Sequence, residues 1–411
     1  MTSPPGPAPG APSGWWSLGI TTAIQAMVSM ALLTLPAMAP TVARGLGVPA
    51  ALVGVYVGLC YLAAMLSSLV GGTLVRRWGA IRVSQVGLLC CTVGLLLCAL
   101  PWWPAVALGA LFIGAGYGPI TPASSHLLVL TTPAHRMALV FSVKQTGVPA
   151  GGMLAGALVP GLSLWVGWQG ALAVVATACL LCAVASQPLR APLDADRQPD
   201  QPLALAALFK PVGMVLGHRS LAVLAACSFL FSAVQVSVTA YMVTYLHESL
   251  GMTLLAAGAA LSVSQLAGVV GRIAWGAVAD RGLGPRNTLI LLATLMIVGS
   301  VLTAGLQPAW PTALIWAVVA LLGASAIGWN GVYLATVARQ APPGQASTAT
   351  GGTLMFTFMG VVCGSPAFGA LASASGSYRV AFAALAAPAM LALALLAWRA
   401  VQASREAQPA R

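Results

Sequence analysis

Acidic side chains are nearly absent from this chain, and where they fall constrains its fold more than any other feature. The six Asp and Glu residues leave twelve apolar segments with no carboxylate in their interiors, at 16–38, 50–74, 81–100, 104–130, 137–161, 165–186, 220–246, 253–279, 287–306, 311–336, 346–373 and 378–402. Each reaches the about 20 mostly apolar residues a helix needs to cross a bilayer. Only 6% of residues are charged and 59% are hydrophobic, against about 25% charged in a soluble domain. That balance excludes a soluble enzyme and a disordered chain. Gly and Pro recur inside the segments, which a membrane helix tolerates because neighbouring helices satisfy the freed backbone groups. The pattern predicts twelve transmembrane helices.

The 18 Lys and Arg residues bring the net charge to +12. In a soluble chain this would point to nucleic acid. Here the cations stand at the ends of apolar runs, which is a topology signal, so no nucleic-acid partner is expected. Most of them, including Arg76, Arg77, Arg82, Arg136, Arg281 and Arg339, fall on one set of alternate connections and tails. The other set holds only Arg44 and Arg379. The asymmetry places both termini in the cytoplasm, with the chain integral to a bacterial inner membrane. Lys144 and Arg272 fall inside predicted spans.

Residues 1–14 are rich in Pro, Gly and Ala, lack the basic start of a secretory signal and read as a disordered tail. Residues 15–186 hold six spans, and 187–219 form a polar linker with Asp194, Asp196 and Asp200. Residues 220–402 hold six more spans, and 403–411 are a second tail. Within the linker, 203–218 carry a weak pattern for a short interfacial helix. The halves echo each other. The stretch from Gly72 through Arg76 and Arg77 to Gly79 follows the second span, and Gly276 through Asp280 and Arg281 to Gly284 follows the eighth. Gln25 and Gln235 hold similar places in the first and seventh. Repeats of six spans are one way to build a secondary transporter. The expected fold is all-α, with twelve transmembrane helices in two pseudo-symmetric six-helix bundles.

On these features the chain resembles the major facilitator superfamily over nearly its whole length. That family's loop signature is Gly, three residues, Asp, a basic residue, a spacer, Gly and further basic residues. Gly276, Asp280, Arg281, Gly284 and Arg286 fit it with one extra spacer residue, whereas Arg76 stands in the first copy where the family has its Asp. The resemblance implies that this carboxylate caps a helix end and pairs with an arginine across the domain interface. Gly72, Arg77, Gly276, Asp280 and Arg281 are therefore expected to gate, with the clamp intact only at Asp280. The run from Gly147 through Pro149 to Gly151 and Gly152 resembles a variant of the family's antiporter signature, with the proline displaced. Arg272 stands four residues before Gly276, where monocarboxylate and oxalate porters of the superfamily carry a carboxylate-binding arginine. The acid that some of them hold one turn earlier is Gly268 here.

Ionisable groups at membrane depth are costly and mark function by default. Lys144 and Arg272 lie one in each half, and the only acids at the edges of spans are Glu248 and Asp280. Buried cations without carboxylates favour an anion as partner. Two readings stand for Arg272: it holds the substrate's anionic group, or it caps carbonyls or pairs with Asp280. Lys144 either faces the cavity or snorkels to the surface. Gln25, Gln235, Asn330, Tyr117 and Tyr241 are further candidates to line a polar cavity, although buried amides also bond across helices. His126 is a candidate for proton coupling.

Five small-xxx-small pairs, Gly54/Gly58, Gly114/Gly118, Gly147/Gly151, Gly152/Gly156 and Gly360/Gly364, predict close helix contacts. Cys179 and Cys182 form a C-x-x-C without a second pair, so no metal site is expected. No phosphate-cradling Gly-rich Lys loop and no nucleophile elbow occurs, which removes nucleotide cofactors and hydrolysis from the expectations. The chain is thus expected to be a monomeric secondary transporter working by alternating access, not an enzyme. Its partners would be the lipid bilayer and a small organic anion, a carboxylate. The alternative is an efflux antiporter for drugs or other small molecules.

Overall fold

The computed structural model describes residues 14–132, 137–200, 210–342 and 345–406. Residues 1–13 and 407–411 of the tails, 201–209 of the linker, and Arg136 lie outside the described residues. Among those described, ten helical stretches are long and apolar enough to cross a membrane, and two of them, Val143–Leu193 and Leu254–Ala304, run for 51 residues. At 1.5 Å per residue such a stretch is about twice as long as a hydrocarbon core is thick. Each is interrupted at a glycine with φ of 74°, Gly167 and Gly284, a backbone angle that side chains disfavour. Each is therefore long enough for two crossings, which makes the described residues consistent with the twelve spans predicted.

The first three spans are Gly14–Ala37, Val53–Trp78 and Ala80–Cys98. The fourth is broken into Trp103–Tyr117 and Ile120–Thr131. The fifth joins Met137–Gln145 to the start of Gly147–Ala185, and the sixth follows Gly167 in that same helix. In the second half, Arg219–Glu248, Leu254–Val278 and Gly284–Ala304 are the seventh to ninth spans. The tenth is broken like the fourth, into Thr312–Ala326 and Asn330–Gln340. Ala346–Ser375 is the eleventh, and Tyr378–Ala384 with Ala386–Glu406 the twelfth. Pro119 and Pro388 account for two of the breaks, because proline has no N–H to carry the helix on. The matching breaks in the fourth and tenth spans make the repeat visible in the backbone.

Packing repeats as well. The first span packs on the fifth and the seventh on the eleventh. Gly147 and Gly151 face Gln25 and Ser29 of the first span, while Gly360 and Gly364 face Phe229 and Ala233 of the seventh. Across the halves the eighth span packs on the fifth and the second on the eleventh. Gly156 there meets Gly258, and Gly54 and Gly58 meet Ser365 and Pro366. Lipid gives apolar side chains no reason to leave it, so helices associate by close backbone approach, and a Cβ at these glycines would collide. The antiporter-like run at Gly147–Gly152 is used in this packing.

The linker is divided between the halves. Its first part lies on the N-terminal half, while a short helix, Lys210–Gly217, packs on the eleventh span. That helix is the described part of the one expected at 203–218. At the end of the eighth span the chain makes one wide π turn, Ala279–Leu283. A π turn holds one residue more than an α turn, and so absorbs the extra spacer residue of the loop signature.

Candidate functional site

Lys144 ends the first piece of the fifth span and is 1% exposed, so it does not snorkel out of the protein. Its ammonium has three protons to donate, and its hydrogen bond in the structure is a long one, from Nζ to Thr121 Oγ1 at 3.5 Å. The Thr121 hydroxyl donates to Gln25 Oε1 at 3.5 Å, and Gln25 Nε2 donates to Ser29 Oγ at 3.5 Å. Gln25 is fully buried. A polar chain thus runs from the first span through the broken fourth to the cation of the fifth.

Arg272 comes from the other half and lies within electrostatic reach of Lys144. Its Nη1 donates to the carbonyl of Gln145 at 2.7 Å and its Nε to that of Ile327 at 3.1 Å. Gln145 stands at the joint of the fifth span and Ile327 at the break of the tenth. Carbonyl capping therefore occurs, while pairing with Asp280 does not: Asp280 bonds to Arg339 instead. A guanidinium has five donor protons in a planar fork, and these two bonds leave others available. Tyr117 and Tyr61 also lie within electrostatic reach of Arg272. Their rings meet edge to face at 5.8 Å, and Tyr61 also faces Phe358 of the eleventh span at 6.2 Å. Sequence reasoning passed over Tyr61, though it sits mid-span like Tyr117 and the same criterion would have found it.

The other candidates lie elsewhere. Gln235 Oε1 accepts from Trp329 Nε1 at 2.9 Å and from Asn330 Nδ2 at 3.2 Å, forming a second polar group at the tenth-span break. Gln25 and Gln235 thus do the same work in the two halves, each bonding to a broken span. Tyr241 is not brought to the two cations. Its hydroxyl, with one proton to donate, lies 2.7 Å from the carbonyl of Ala51 and 3.1 Å from that of Ser365, tying the halves together at the end away from the linker. His126 lies apart from the two cations, at the linker. Its Nε2 meets Asp196 Oδ2 of the linker at 2.6 Å on a partly exposed surface.

The family model of the Major Facilitator Superfamily matches residues 18–358. The chain belongs to that superfamily. Monocarboxylate transporter 11 of mouse is 27% identical over 339 residues, covering 77% of this chain and 71% of the relative. The human protein of the same name is 28% identical over 338 residues, covering 77% and 68%. Among solved structures, a bacterial homolog of the human lysosomal transporter Spinster, inward-facing and unoccupied, superposes with a TM-score of 0.79 at 14% identity, covering 94% of this chain and 96% of that one. A variant of the nucleoside transporter NupG gives 0.75 at 17% identity, covering 92% and 99%. The protein is a multi-pass membrane transporter of the superfamily.

Of the positions expected to gate, Gly72 and Gly276 have open space beside them at the linker end. Arg77 and Arg281 are exposed. Asp280 meets Arg339 at 3.4 Å, with both side chains largely exposed. This pair lies within the C-terminal half, so the expected contact of Asp280 across the interface is not made in this structure. In the N-terminal half the missing loop carboxylate is replaced from the linker. Asp194 accepts from Ile81 N at 2.8 Å and Arg82 N at 3.0 Å, at the start of the third span.

Proposed function

We propose that this superfamily member moves a small organic anion, a carboxylate, by alternating access, with Arg272 as the principal anion-binding group and Lys144 as its counterpart from the other half. The observation that carries the proposal is the pairing itself. Two cations, one from each half, are brought together, because Arg272 donates to the carbonyl of Gln145, the residue after Lys144, while the chain's six acids lie in the linker, at the ends of spans or in the C-terminal tail. Like charges in a poorly hydrated interior repel, and an anion between them removes both the repulsion and the shortage of acceptors around Lys144. Arginine's fork suits a carboxylate through two hydrogen bonds, whereas lysine adds a compact charge. The name of the curated relatives, monocarboxylate transporter, supports the same substrate class.

An anion seated there would compete with Gln145 and Ile327 for the guanidinium. Gln145 belongs to the other half, so substrate binding and the contact between halves are coupled through one side chain. Contacts at Gly54, Gly58 and Tyr241 hold the halves together away from the linker, with open space beside Gly72 and Gly276 at the linker end. We take this as one of the two access states, opening to the cytoplasm, which the basic loops mark.

The test is uptake of radiolabelled short-chain monocarboxylates into proteoliposomes, with binding measured alongside. Arg272→Gln should abolish anion binding in a folded protein. Arg272→Lys, keeping the charge but losing the fork, should weaken it about tenfold. Lys144→Gln should be milder. Normal carboxylate transport by Arg272→Gln, or thermal stabilisation by a lipophilic cation and not by any carboxylate, would overturn the reading in favour of an efflux antiporter.

A further inference from the structure

A second group of arginines lies well apart in function from the two buried cations, in a pocket at the linker end of the C-terminal half. Its volume is about 130 Å³, and its walls come from the seventh, ninth, tenth and twelfth spans. A cavity needs about 10–15 Å³ of such space to hold one water, so the pocket has room for a group of several heavy atoms. Arg286 and Arg399 both line it, with Ser220, Thr336 and Gln340 as neutral polar neighbours and no carboxylate among the described lining residues. Arg399 Nη2 donates to Ser220 Oγ at 3.0 Å. Arg286 Nη2 is buried and has no hydrogen-bond partner. A buried guanidinium nitrogen without an acceptor costs free energy that a bound anion would recover.

Position narrows the chemistry. Arg219 begins the seventh membrane span and Arg399 lies in the C-terminal part of the twelfth, Ala386–Glu406, so the pocket sits at the linker-side ends of both helices. Beside it the Arg219 guanidinium lies over the ring of Trp398 at 4.7 Å, and Trp398 is exposed. Tryptophan is enriched at the level of lipid headgroups. Basic pockets between membrane helices hold phosphate-bearing headgroups, and arginine matches a phosphate through paired hydrogen bonds.

We propose that this pocket is a phosphate site at the membrane surface, in which Arg286 and Arg399 grip the phosphate of an anionic phospholipid headgroup or of a soluble phosphate. The experiment uses the full chain purified in an uncharged detergent. Thermal unfolding is followed while phosphatidylglycerol, phosphatidylcholine of the same acyl chains, or inorganic phosphate is added. A ligand that binds the folded state raises the midpoint in a saturable way. Phosphatidylglycerol should do so, phosphatidylcholine should not, and Arg286→Gln should weaken the apparent affinity about tenfold. The double variant Arg286→Gln, Arg399→Gln should lose the response. An arginine-dependent response to inorganic phosphate as well as to phosphatidylglycerol assigns the seat to soluble phosphate, while one confined to phosphatidylglycerol assigns it to lipid.

A midpoint unmoved by either probe, or a double variant that responds like the parent, overturns the proposal. Should the double variant fail to fold, native mass spectrometry of the unaltered protein decides. Retention of phosphatidylglycerol in preference to phosphatidylcholine, or of added inorganic phosphate, is expected, and a protein that shows neither refutes the site.

Discussion

The turns that follow the second and eighth spans occupy equivalent places in the two halves, yet they obtain their carboxylates from different parts of the chain. In the C-terminal half Asp280 belongs to the turn, is exposed, and reaches Arg339 at 3.4 Å. In the N-terminal half Arg76 holds that place, and the carboxylate comes from the linker. Asp194 is 2% exposed and accepts two backbone N–H bonds at the start of the third span. Gly79 leaves the room, since a Cβ there would strike the Asp194 side chain. The first N–H groups of a helix need acceptors, and any chain segment that can reach them will serve. Importing the acceptor has a consequence that the C-terminal turn lacks: it fastens the linker. His126 to Asp196 at 2.6 Å and Gln198 N to the carbonyl of Arg76 at 2.7 Å complete that attachment.

The comparison breaks most directly at the two acids. Asp194→Ala should destabilise the protein by about 1–2 kcal/mol, the usual loss for a helix cap, and should expose the 187–200 segment to protease. Asp280→Ala should leave the unfolding midpoint almost unchanged, because an exposed ion pair contributes little. Parallel thermal unfolding and limited proteolysis check both, and equal losses at the two positions would end the distinction. A smaller effect sharpens it. Arg76→Asp, placed in the Asp194→Ala background, should recover part of the lost stability by returning a carboxylate to the turn. Failure to recover would mean that the two turns are not interchangeable.

The smallest effect is in pH. Burial raises the Asp194 carboxyl above the ordinary aspartate value, and this outweighs the two backbone donors and Arg190, which lower it. The folded protein therefore holds this proton to higher pH than the unfolded chain does. Stability from this group is present in full below the ordinary value of about 4, and is lost as pH rises through the raised value. Unfolding midpoints across the weakly acidic range should fall with rising pH relative to those of Asp194→Asn, which has nothing to titrate. Parallel profiles for the two proteins would contradict the burial argument.

What could be read beforehand follows the physics of the solvent. Lipid demands long apolar runs and expels acids, so twelve spans and two equivalent halves were legible residue by residue. Glycine pairs announced close contacts because only a missing Cβ lets two backbones meet. The breaks at Pro119 and ahead of Pro388 had local causes, whereas the tenth span breaks at 327–329 without a proline. Among single side chains, Lys144 and Arg272 stood out because charge at depth is expensive anywhere. Depth alone did not separate Tyr117, which lies near Arg272, from Tyr241, which ties the halves together at Ala51 and Ser365.

The sequence by itself determined that this chain spans a membrane twelve times as two repeats, because partition between water and lipid depends only on local composition. Tertiary structure alone decided that Arg272 reaches across to Gln145, that Asp194 caps a helix more than a hundred positions earlier in the chain, and that Arg286 and Arg399 share one pocket. Each of these depends on which helix stands beside which, and on the direction a side chain takes around its own axis. Contacts between residues distant in the chain set both, and an apolar run is equally apolar whichever neighbour it faces.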